Sequence, residues 1–220
     1  MSTRKPIGPS GTVSSRLIQR GLDFARRLGC DTIDLCREFG LDPSWLADPE
    51  ARIANAAAAE LTERVIELTD DQNFGLHLAR DVERTTTFDA AGLLLMASPN
   101  VRTALQRMIA HQRYWNDARR SSWIARPDGA AIRYQTPHAT GTSSRHAAEC
   151  MLAEIALGVR VLTGTTLNPR RVSFQHESPA STLEHAQLFG CSIEFRAAHT
   201  EIEFDDRTLD ATLQHAHATF

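Results

Sequence analysis

The hydrophobic period of this chain changes near residue 118, and that change limits the folds open to it. Before it, apolar residues recur every three or four positions, as on one face of a helix; after it, several short runs alternate residue by residue, as on a half-buried strand. In "SSRLIQRGLDFARRLG", Leu17, Gly21, Leu22, Ala25 and Leu28 share one helical face. "DTIDLCREFG" opens on Asp31 as an N-cap and closes on Gly40. "LDPSWLADP" reads as a turn between Pro43 and Pro49, followed by a long helix with Leu61, Val65 and Leu68 inward. In "NFGLHLAR", Phe74, Leu76 and Leu78 point to a short buried helix. Pro99 and Asn100 divide the next stretch into two helices, with Asn100 capping the second.

Beyond the switch, "RRSSWIARPDGAAIRYQT" is two alternating runs around Pro127-Asp128-Gly129, a hairpin signal. A long helix places Leu152, Ile155, Val159 and Leu162 on one stripe and ends at Gly164. "RRVSFQH", "SIEF" and "EIEF" alternate cleanly, which predicts a sheet with one wet face and largely antiparallel pairing. The expectation is an α+β fold: a helix-rich N-terminal half followed by an antiparallel sheet with interspersed helices. Residues 1–15, polar and containing Gly and Pro, read as a disordered lead, and residues 16–220 as one domain.

Composition removes several classes of function. A net charge of −3 leaves no overall electrostatic footprint for a phosphate backbone. All but one of the 24 basic residues are arginines, Lys5 excepted, but they are spread along the chain. No apolar run approaches the roughly 18–20 residues of a membrane span, and the N-terminus lacks the apolar core of a secretory signal, so a cytoplasmic protein without membrane contact is expected. Cys30, Cys36, Cys150 and Cys191 lack the short pairwise spacing of a structural zinc site, so no metal and no cofactor are expected. Neither GxSxG, HExxH, GxGxxG nor a phosphate-binding loop occurs, and no catalytic residue is assigned; the chain reads as a non-enzyme.

The order of elements resembles a known family. "FGLDPSWLADPEARI", "DDQNFGLHLAR", "ASPNVRTALQRMIAHQRYW", "AAECMLAEIALGVRVLTGTTLNPRRVSFQHESP" and "LFGCSIEFRAAHTEIEFDDRTLD" resemble the N-terminal ligand-sensing domain of AraC-type transcription regulators, in the branch with a helical α+β sensor. His185 stands where that pattern usually has tyrosine, and Ser192 and Thr212 stand where it has proline. The resemblance implies a domain that binds a small-molecule effector, pairs as a homodimer, and contacts DNA only through a C-terminal helix-turn-helix domain. No such domain has a candidate here, so the chain is expected to be either a sensor fragment or a truncated relative. The alternative is a stand-alone interaction module that binds neither ligand nor DNA.

Six residues are candidate ligand contacts, each with a plainer reading beside it. Tyr114, Trp115 and Tyr134 offer apolar faces with polar tips for a pocket wall, or fill the core. Arg133 would pair with a ligand carboxylate, or face water on its alternating strand. Arg145 and His146 open the long helix, where they would sit at the mouth of a pocket between helix and hairpin. Alternatively they form a helix flank in which Arg145 pairs with Glu149 four residues on. "HAQLFGCSIEF", despite holding His185, Cys191 and Glu194, reads as scaffold, with Gly190 ending a helix and Ile193 and Phe195 on one strand face.

Overall fold

A computed structural model describes residues 11–81, 90–118, 120–135 and 142–214. The residues read as a lead over 1–10, the start of the "FDAAGLLLM" stretch and the tail after Gln214 lie outside those described. The chain divides into two compact units: residues 1–72, 112–120 and 136–144 form the first, and residues 73–111, 121–135 and 145–220 the second.

The first unit is helical around a two-stranded sheet. Strand β1 (Thr12–Ser14) pairs antiparallel with β2 (Arg52–Ala54), setting Val13 opposite Ile53, both buried. Thr12–Ser14 thus lie in a strand within the stretch expected as a lead. Each of the two strands runs straight into a helix, at Ser15 and at Asn55, so no alternation extends past its three residues and neither was visible in sequence. Helix α1 (Ser15–Arg27) is capped by the Ser14 side chain and buries Ile18, Leu22, Phe24 and Ala25. Leu22 and Ala25 face inward as expected, while Ile18 and Phe24 complete the buried stripe and Leu28 is exposed. Asp31 caps α2 (Thr32–Glu38) as expected, accepting from the N–H groups of Ile33 and Asp34. The predicted turn contains a short helix, α3 (Pro43–Leu46). Helix α4 (Asn55–Thr69) buries Leu61, Val65 and Ile66 and leaves Leu68 exposed.

The second unit is built on a five-stranded sheet of order β3-β4-β7-β5-β6. Its helices are α5 (Phe74–Arg80), α6 (Ala90–Met96), α7 (Val101–His111), α8 (Thr142–Thr163, from Arg145 on), α9 (Leu183–Phe189) and α10 (Asp206–Leu209). The Asn100 side chain caps α7, accepting from the Thr103 N–H at 2.9 Å. Strands β3 (Arg120–Arg126) and β4 (Gly129–Gln135) flank the expected hairpin turn. β4 pairs antiparallel with β7 (Thr200–Asp205), and β7 with β5 (Arg171–Ser173). The last pair, β5 with β6 (Ser192–Glu194), is parallel, the exception in a sheet whose other described pairs agree with the largely antiparallel expectation. The reason is the connection: α9 carries the chain between them, and a crossover helix allows parallel return where a tight turn would not.

Register decides what each sheet face carries. Ile132 lies opposite Ile202, which lies opposite Val172, giving an apolar row. One residue along, Arg133 lies opposite Glu201 and Glu201 opposite Ser173. The apolar rows join Leu152, Ala153, Ile155, Ala156 and Val159 of α8 in one core. Gly129 sits where a Cβ would come within 2.1 Å of the Phe204 carbonyl oxygen, so the close β4–β7 approach requires glycine. The last described residues are tied down: Val101 N–H donates to Ala211 O, and Gln214 N–H to Leu162 O at the end of α8.

Candidate functional site

A buried carboxylate organises the polar interior of the second unit. Glu149 is two turns into α8 and is wholly buried. Taking a carboxylate out of water costs several kcal/mol unless charge and hydrogen bonds compensate. The helix supplies the first partner at i−4: Arg145 Nε donates to Glu149 Oε1 at 2.9 Å. The second comes from α9, where His185, also wholly buried, places Nε2 at 2.9 Å from the same oxygen. Burial pushes the Glu149 carboxyl up, but the His185 and Arg145 side chains that donate to it outweigh burial and hold the group well below the usual carboxylate range.

Two more imidazoles approach without bonding. His146 Nδ1 lies 3.6 Å from Glu149 Oε2, but that nitrogen accepts the Gly75 N–H at 3.2 Å. His176 Nε2 lies 3.6 Å from Oε1, beyond hydrogen-bond length. Its Nδ1 contacts the Glu177 carbonyl oxygen at 2.9 Å, which can only accept, so Nδ1 carries the proton. Burial pushes the His176 imidazole down, and the Glu177 contact and the Glu149 charge restore only part of that. Glu149 Oε2, His176 Nε2 and His185 Nδ1 are buried atoms without hydrogen-bond partners. An aromatic wall surrounds them: Phe174 and Phe195 each pack on both His176 and His185.

Of the six candidate residues, Arg145 and His146 belong to this cluster, and Arg145 makes the expected pair with Glu149. Tyr134 is a buried core residue of β4 in the same unit. Arg133 instead meets Glu201 at 2.6 Å, a bond its register makes inevitable, and Arg126 reaches the same carboxylate at 3.0 Å. Tyr114 and Trp115 lie in the first unit, ring edge to ring face at 5.7 Å. Their segment is fastened by Arg52, whose guanidinium donates to the Tyr114 and Arg113 carbonyl oxygens and to Thr12. Of the four that lie in the second unit, Arg145 and His146 share the Glu149 cluster. His176 and His185, more than 25 residues from Glu149 in sequence, were not anticipated as members. The available signal was a histidine at the end of the "RRVSFQH" strand and another on the inner face of α9, both aimed at a core that already held a glutamate.

Among the described residues, no group of three or more His, Cys, Asp or Glu side chains could hold a metal ion. No helix among them is long and apolar enough to cross a membrane. The Cys191 thiol is pushed up by burial to about 11, which leaves it unreactive as a nucleophile near neutral pH.

Comparison with known proteins agrees with the order of elements. Residues 29–213 match the model of the arabinose-binding domain of AraC transcription regulators, N-terminal. The fold is similar to that of the crystal structure of transcriptional regulator CdpR from Pseudomonas aeruginosa, with a TM-score of 0.60 at 17% identity. The likeness covers 80% of this chain and 56% of that one, so the chain spans little more than half of the regulator's length. None of the curated proteins matches the chain in sequence.

Proposed function

This chain belongs to the family of N-terminal arabinose-binding domains of AraC transcription regulators, and from that premise we propose that it senses a small-molecule effector and relays the bound state to a DNA-binding domain. The observation that carries the proposal is the Glu149 cluster, a set of partly unsatisfied polar groups in an otherwise apolar core. Buried polar atoms without partners are rare in cores that serve only to be stable. A few polar groups placed among aromatic rings are what a selective small-molecule site requires. Arg145, His146, Glu149, His176 and His185 are the proposed polar contacts.

The relay runs along α8. Glu149 and Leu162 lie on this one helix, separated by about 20 Å at 1.5 Å per residue. Leu162 O accepts the Gln214 N–H, so a displacement of α8 at the cluster reaches the segment that leads toward Phe220. The effector would act by favouring one of two arrangements, which requires that it bind them unequally. Homodimerisation, DNA contact through a further domain and a cytoplasmic location are parts of the same proposal.

The test is a thermal-shift screen of small metabolites against the 220-residue chain, with calorimetry on any compound that stabilises it. The expected result is saturable binding of a compound recovered unchanged, weakened at least about tenfold by Glu149→Gln, equivalent to about 1.4 kcal/mol. A compound consumed by the chain would replace this reading with an enzyme. A chain that no metabolite stabilises, but which pairs tightly with another protein, would replace it with an interaction module.

A further inference from the structure

The hydrogen-bond inventory around Glu149 does not balance. A carboxylate oxygen has two lone pairs, and Oε1 already receives two donors, Arg145 Nε and His185 Nε2. His176 Nε2 also faces Oε1, at 3.6 Å. Because the Glu177 carbonyl fixes the proton on Nδ1, Nε2 of the neutral ring presents a lone pair to a negatively charged oxygen. The contact is unfavourable as it stands. One added proton at Nε2 turns it into a charge-assisted donor facing a carboxylate.

A proton needs no cavity, and of Glu149, His176 and His185 it is His176 that reaches solvent. The His176 side chain is 16% exposed, whereas Glu149 and His185 are wholly buried. Three structural pieces meet at this oxygen: α8 through Arg145 and Glu149, α9 through His185, and the segment after β5 through His176. We propose that the cluster is a proton-operated switch, in which His176 takes up a proton at Nε2 and claims the place on the Glu149 carboxylate that His185 holds in the neutral state. The α8–α9 contact then loosens and the contact of α8 with residues 174–176 tightens.

The charges facing His176 among the described residues set the direction. From α8 come Glu149, which favours the proton, and Arg145, which opposes it; from α9 comes His185, which also opposes it. His146, on α8, is turned to Glu149 Oε2 and to Gly75 of α5. Beside His176, Glu177 and Arg196 pair with each other at 2.9 Å in solvent and largely cancel. Burial adds its opposition to the cation, so the switch operates on the acid side of the ordinary imidazole value. It needs no effector, so it stands or falls separately from the sensing reading.

Long-range proton–nitrogen NMR correlations on the 220-residue chain, taken between pH 8 and about pH 5, resolve both nitrogens of each imidazole. His176 is expected to titrate while the far-UV circular dichroism stays constant, and His185 Nε2 to move with the same midpoint. In His176→Gln the movement of His185 should vanish over that range. A His176 that stays neutral until the chain unfolds overturns the proposal, as does a His185 that moves alike in both proteins. Should His176→Gln fail to fold, His185→Met provides the reading: with the competing donor gone, the His176 midpoint rises. An unchanged midpoint overturns the switch.

Discussion

At the scale of single residues, the energetics of the second unit turn on one carboxylate. Glu149 stays ionised in the core because a guanidinium and an imidazole donate to it. Removing one partner of a buried pair leaves an uncompensated charge and costs several kcal/mol, far more than an exposed pair contributes. Arg145→Met should therefore destabilise the chain by about 3 kcal/mol, the low end of that range because Arg145 keeps an edge in solvent. Urea unfolding followed by circular dichroism measures this, and a loss within the scatter of a surface mutation would mean that His185 alone sustains the carboxylate. By contrast, the exposed Arg196–Glu177 and Arg37–Asp34 pairs should be removable at little cost. The Arg145–Glu149 pair was legible in the sequence, since i,i+4 spacing on a helix brings two side chains together without help from the rest of the fold. The membership of His176 and His185 was not, because nothing local joins them to α8.

At the scale of elements, helix boundaries followed their capping residues. Asp31 and Asn100 were readable as N-caps because a short polar side chain satisfies free N–H groups wherever a helix starts. Gly190 closes α9 at φ +63°, and its N–H returns to the Ala186 carbonyl. A Cβ there would lie 2.5 Å from the Asn168 amide nitrogen, itself part of the contact in which Arg160 of α8 holds Asn168 and the Phe189 carbonyl. Gly190→Ala should cost about 1–2 kcal/mol from the left-handed backbone alone. Calorimetric melting would detect it as a lowered Tm, and an unchanged Tm would mean that the α9 terminus relaxes freely. The strands were legible where they alternate over six or seven residues, as in β4 and β7. β1 and β2 were not, because each passes directly into a helix and no alternation continues beyond its three residues.

At the scale of the whole molecule, the buried ionisable groups predict an acid-labile chain. The imidazole of His176 is lowered from 6.5 by burial, so below that pH the unfolded chain binds a proton that the folded chain resists. Its contribution to stability is present above pH 6.5 and is lost as the pH falls from there toward the folded value. Glu149 is also lowered, from 4.5, so its contribution is present above that value and is lost in stronger acid. Unfolding free energy measured against pH should decline in two stages, the first near 6.5 and absent in His176→Gln. A profile flat from pH 7 to about 5 would contradict the burial of His176 as described.

The sequence by itself determined the elements and the class of fold. Period, caps and turn residues act through neighbours a few positions apart, and their order was enough to place the chain in its family. Only the tertiary structure decided the rest. The parallel β5–β6 pair depends on where α9 returns the chain. The pairing of Arg133 with Glu201 follows from the β4–β7 register. Tyr114 and Trp115 fall in the first compact unit and the other four candidates in the second, a division no local pattern shows. The Glu149 cluster exists because α8, α9 and the segment after β5 deliver nitrogens to one carboxylate. Such coincidences in space depend on long-range packing, which no local pattern of residues encodes.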